Sequence, residues 1–143
     1  MTAVILARYA CGLFFITGLL TGIWKYVHIM KSEEAKAPVY VDIAHRAGLM
    51  YSFACLVLAY FAALSKWPES WNLLGVGMAV AFFAAAEGTY IIHGLLKDTD
   101  NQLKRPVQLG TKSLPTILIH IFMFALIAGE LGGFLIIFTG AMR

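Results

Sequence analysis

Charge is what this sequence has least of. Asp, Glu, Lys and Arg make up 13% of its 143 residues, about half the share of a soluble domain, while hydrophobic residues reach 60% against roughly 45–50%. A chain so composed cannot cover itself with hydrated surface. It expects lipid as its solvent, as a single integral membrane domain over residues 1–143. The surplus of 11 basic over 8 acidic residues is small and scattered, which excludes a nucleic-acid face. Cysteine is equally scarce. Cys11 and Cys55 both lie in apolar runs and form no CxxC or CxxCH pattern, which excludes a zinc knuckle and a covalent haem attachment. Both read as packing thiols. No internal repeat or low-complexity segment is present.

Long apolar stretches are what the sequence does have. Four of them, Val4 to Trp24, Arg46 to Leu64, Trp71 to Leu96 and Leu114 to Thr139, each approach the ~20 residues that cross hydrocarbon as a helix. The expected fold is all-α, a four-helix transmembrane bundle. Arg8 sits inside the first stretch rather than ahead of it, so that stretch reads as a retained span and not a signal peptide. Asp42, Ser70 and Ser113 are the expected N-terminal caps of spans two to four, with Pro115 needing no donor. Trp24, Tyr26, Tyr40, Trp67 and Trp71 mark the interfaces. Eight of the 11 basic residues fall in the connections between spans one and two and between spans three and four. That bias predicts cytoplasmic placement of the two longer loops, as in a multi-pass protein of a bacterial inner membrane.

Ionisable groups within a span are costly, so Arg8, Glu87, His93, His120 and Glu130 are expected to face the bundle interior. Antiparallel connectivity brings His28, His45, His93 and His120 into one half of the membrane, and Glu87, Tyr90 and His93, three residues apart, form one polar strip on span three. Each of these groups alone reads as an interhelical hydrogen-bonder. Together they have the composition of a cofactor or proton-transfer site. Bare zinc calls for closely spaced pairs that are missing here, whereas haem needs only one or two axial imidazoles in apolar surroundings. Glu130, far along span four from Leu114, reads as structural and near the opposite interface. The Gly18-x-x-x-Gly22 and Gly129-x-x-x-Gly133 motifs permit close helix approach, within the bundle or between protomers. Residues Asp98 to Gln102 read as a polar turn closing span three, since the Gly and Glu of a calcium loop are missing.

Four short motifs lie in order along the chain: Gly22-Ile23-Trp24, Ala44-His45, Leu74-Gly75 and Gly88-Thr89-Tyr90, with 45 residues from His45 to Tyr90. In these the chain resembles the styrene oxide isomerases, four-span membrane proteins that bind haem b between the protomers of a trimer and rearrange an aryl epoxide to an aldehyde. The resemblance spans essentially the whole chain. It implies that His45 is the axial haem ligand and that Tyr90 is the polar group over the open face of the iron. Two positions depart from the family, which has Asn where Tyr51 and Ala86 stand. Tyr51 joins Tyr90 as a catalytic candidate, and Glu87, His93 and His120 become candidates for an altered pocket or a second axial ligand.

The leading expectation is a haem-b protein with epoxide-isomerase-like Lewis-acid chemistry, acting on a small lipophilic epoxide within membrane lipid. By resemblance it is a homo-oligomer, a trimer. The competing expectations are a bis-histidine cytochrome exchanging electrons with a quinone, His45 pairing with His93 or His120, and a cofactor-free accessory subunit of a membrane complex.

Overall fold

Three prolines fix where helices begin. In a computed structural model describing residues 1–143, Pro38, Pro68 and Pro115 occupy the N-cap positions of α2 (Val39–Leu64), α3 (Glu69–Leu96) and α4 (Thr116–Ala141). Each proline holds φ between −53° and −56°. It forces the residue before it to be extended, so the helix cannot propagate backward. Asp42, Ser70 and Ser113 are therefore not the caps that the sequence reading made them. Asp42 lies inside α2 and pairs with Lys25 at 2.5 Å and with Arg46 at 2.8 Å, while Ser113 belongs to a strand. The first helix, α1 (Ala3–Met30), is capped by Thr2, whose hydroxyl accepts from Ile5 N–H. A second acceptor comes from α3, where Glu69 Oε1 meets Ala3 N–H at 2.5 Å.

All four helices are long and apolar enough to cross a membrane, which makes this a multi-pass membrane protein. They run 26 to 28 residues, longer than the ~20 that hydrocarbon requires. That excess explains why α1 continues six residues past Trp24 and α2 starts seven before Arg46. Hydropathy marks the lipid boundary, but the helix ends where the backbone is broken. The ion pairs of Lys25, Asp42 and Arg46 occupy the projecting ends, where water reaches them.

The helices pack antiparallel, α1 on α2, α2 on α3, and α3 on α4. The end holding both chain termini has a close-packed core of small side chains, Ala3, Ala7, Ala59, Ala62 and Ala79, around Leu58, Val76 and Ile137. The glycine motifs work inside the chain. A Cβ on Gly48 would lie 2.9 Å from Gly18 Cα, and one on Gly133 would lie 2.9 Å from the Ala79 nitrogen. Cys55 is buried and Cys11 half-buried, both as free thiols.

At the opposite end the α3–α4 connection folds into a hairpin, β1 (Val107–Leu109) against β2 (Lys112–Leu114), in antiparallel register with Val107 opposite Leu114. Its two-residue turn puts Gly110 at φ +63°, a left-handed conformation that glycine adopts without strain. The all-α bundle thus carries one small β element, which roofs the hairpin end.

Candidate functional site

The polar residues picked out in the sequence fall into separate groups, and helix geometry decides which. His45 projects from α2 into the seam with α1, where Nδ1 lies 2.8 Å from the Gly18 carbonyl oxygen. A carbonyl only accepts, so Nδ1 donates and the neutral ring keeps its lone pair on Nε2. Gly22 makes room for this ring, since a Cβ there would lie 2.8 Å from Cε1 and 2.9 Å from Nδ1. At about 100° per residue, Leu56 sits ~20° from His45 around α2. Leu56, with Phe15 and Leu19 of α1, exposes apolar surface on that flank.

Tyr51 and Tyr90 come together elsewhere. They line one cavity of about 260 Å³ with Ile43, Arg46, Ala47 and Met50, between α2 and α3. Tyr51 stacks on Phe83 with ring centroids 4.6 Å apart, and Tyr90 stacks on Tyr40 at 6.1 Å. Around α2, Ala47 stands ~160° and Tyr51 ~120° from His45. Within a single chain His45 and the two tyrosines therefore face opposite flanks of the same helix.

His93 belongs to a third group at the hairpin end. Its Nδ1 lies 2.8 Å from Asp98 Oδ1, and the two side chains are 9% and 3% exposed. Asp98 Oδ2 accepts from Gly110 N–H at 2.5 Å, and Tyr40 Oη accepts from Gln102 N–H at 2.6 Å. Burial pushes the Asp98 carboxyl up, but the hydrogen bonds from His93 and Gly110 outweigh it and hold the group below the usual carboxylate range. The Tyr40 ring lies against His93 at 5.1 Å. This arrangement ties the α3–α4 connection down onto the helix ends.

The remaining candidates stand apart. Glu87 is 3% exposed, neither of its oxygens has a hydrogen-bond partner, and Oε1 points at the close contact of Gly48 with Gly18. His120 is exposed, with Nε2 3.4 Å from Arg105 Nη2. Arg8 is also exposed, contrary to the expectation that both would face inward. Each lies within two turns of a helix end, from which a long or polar side chain reaches the headgroup layer. Glu130 is half-buried ~21 Å from the start of α4, near mid-helix rather than at an interface. His28 stays beside Trp24, ring centroids 6.0 Å apart.

Asp98, Tyr40 and Gly110 were not read from the sequence as site residues. Asp98 lies five residues past His93, beyond a left-handed cap at Lys97, where helical spacing no longer applies. The detectable signal was the hairpin itself: the short runs Val107-Gln-Leu and Lys112-Ser-Leu flank a two-residue Gly110-Thr111 turn. Neither a family model, nor a curated protein, nor a solved structure matches the chain.

Proposed function

We propose that this chain is a haem-b-binding membrane enzyme that isomerises a lipophilic epoxide, and that it works as a homo-oligomer. The observation that carries the proposal is His45. Its ring is oriented by the Gly18 carbonyl, seated against Gly22 and left with a free Nε2 beside an apolar flank, which is what an axial ligand to a flat lipophilic macrocycle needs. Haem, if bound, would supply Lewis-acid chemistry toward an epoxide oxygen. The Gly18 carbonyl fixes the His45 tautomer and makes Nε2 a better donor of its lone pair. Tyr51 and Tyr90 offer phenolic O–H donors that would steady the epoxide oxygen as its C–O bond weakens, while Ile43 and Met50 give their cavity an apolar lining for a lipophilic substrate.

Because His45 and the tyrosines face opposite flanks of α2, a complete site requires two copies, the histidine of one meeting the tyrosines of the next. Head-to-tail contacts of this kind form a ring when their rotation closes, and a trimer is one such ring. The basic residues of the two longer loops favour a cytoplasmic hairpin end in a bacterial inner membrane.

The test is complementation. A chain carrying His45→Ala and a chain carrying Tyr51→Phe with Tyr90→Phe are each expected to be impaired in epoxide turnover. Co-expression should restore part of it, since mixed rings contain interfaces with both halves intact. No recovery in demonstrably mixed oligomers would overturn the shared site.

A further inference from the structure

The His93 group plays no part in that reading, yet it has the parts of a binding site. A cavity of about 260 Å³ lies between α3, α4 and the hairpin, walled by Ile92, Val107, Leu114, Leu118 and Phe122 and bordered by His93 and Gln102. The neighbouring carboxylate settles the histidine's tautomer. Asp98 is ionised across the ordinary pH range and can only accept, so His93 Nδ1 donates to it. In the neutral ring Nε2 is then an acceptor, and it makes no hydrogen bond within the protein. His93 as a residue is 7% exposed. The residue borders the cavity and Nε2 is not sealed off within the protein, so it is an acceptor open to a donor that a ligand brings.

We propose that this cavity binds a lipophilic aromatic alcohol, whose phenol-type hydroxyl donates to His93 Nε2 while its ring rests among the apolar side chains. Other ligand classes fit poorly. A metal ion would find one nitrogen and no free carboxylate, because both Asp98 oxygens already accept hydrogen bonds. An anion would meet a lone pair, and no Lys or Arg lines the cavity. A pure hydrocarbon would leave Nε2 unsatisfied. A phenol is a stronger donor than an alkanol, and its amphipathic ring favours the membrane interface where these helix ends lie. The hydroxyl of a quinol headgroup and that of a simple phenol share this chemistry.

The proposal is tested on the full chain in detergent with 2-naphthol and its methyl ether, 2-methoxynaphthalene, followed by saturable fluorescence titration. The naphthol should bind about tenfold tighter, the net worth of one hydrogen bond. Ile119→Trp, which fills the cavity from α4, should abolish saturable binding of both. Asp98→Asn gives the sharpest prediction. Gly110 N–H still needs an acceptor, so the amide oxygen turns to it and the amide NH2 faces His93 Nδ1. The ring proton then moves to Nε2, and the naphthol preference should collapse to within about twofold while the methyl ether still binds. Equal affinities in the unmodified protein, saturable binding that survives Ile119→Trp, or a preference that survives Asp98→Asn would each overturn the proposal. If Asp98→Asn does not fold, the first two comparisons decide it. Adding a short-chain hydroquinone separates the sources: tighter binding than 2-naphthol identifies a quinol headgroup, and weaker binding identifies a simple phenol.

Discussion

Two histidines in this molecule are held by Nδ1 and left open at Nε2, and they differ in what holds them. His45 is held by a backbone carbonyl, on a flank of the bundle open to lipid or to another copy. His93 is held by a buried carboxylate, beside a cavity that the hairpin borders. A carbonyl orients a ring without adding a charge, which suits a neutral nitrogen committed to one ligand. A carboxylate adds negative charge, which strengthens Nε2 of the neutral ring as an acceptor from a strong donor. On the proposed reading, the same residue type, with the same nitrogen occupied, is prepared for different tasks by its second partner.

The largest test of this distinction is Gly22→Val, which would drive side-chain atoms into the His45 ring and displace it. Haem retention, measured as the haem-to-protein ratio, should fall about tenfold or more, as when the groups orienting a metal ligand are lost. Gly77→Val is the control, since a Cβ there meets nothing within 4 Å, and it should leave the ratio unchanged.

Asp98→Asn should act at the other histidine alone. Losing a charge-assisted bond in a buried pair costs ~1–3 kcal/mol, read as faster amide exchange across β1 and β2 with α1 and α2 unaffected. The pH dependence follows from the same carboxylate. Its folded pKa lies below the 3.8 of a free carboxyl, so its contribution to stability is present above 3.8 and is lost as pH falls through the lower folded value. Hairpin protection factors should persist from neutral pH down to 3.8 and drop only below it.

The smallest effect belongs to Glu87, which joins neither histidine. Glu87→Leu removes a buried carboxyl lacking partners for both oxygens, so thermal stability should hold or rise by ~1 kcal/mol. Haem content should not change. A loss of haem would draw Glu87 into the cofactor site.

The number and direction of the helices were legible because lipid imposes a length of apolar sequence on each crossing. Their ends were less so: Asp42 and Ser70 have capping chemistry, but the prolines before them break the backbone first. The polar half of the bundle was legible as a collection and not as an arrangement. Chain order placed His45, Tyr90 and His93 at one end, and helical spacing alone puts Tyr51 ~120° from His45 around α2, but that Tyr90 of α3 shares the cavity of Tyr51 emerges only when the packing partners are known. The His93 and Asp98 pair depends on a left-handed turn at Lys97 and on a hairpin that brings Gly110 back across the helix end, contacts that no helical spacing encodes.

The most direct measurement places the two histidines side by side: the visible spectrum and haem-to-protein ratio of purified His45→Ala and His93→Gln against the unmodified protein. His45→Ala should lose most of its non-covalent haem, while His93→Gln should keep the full ratio and an unshifted Soret band. Full haem occupancy in His45→Ala, or its loss in His93→Gln, would contradict the assignment of ligand holder to one histidine and hydroxyl acceptor to the other.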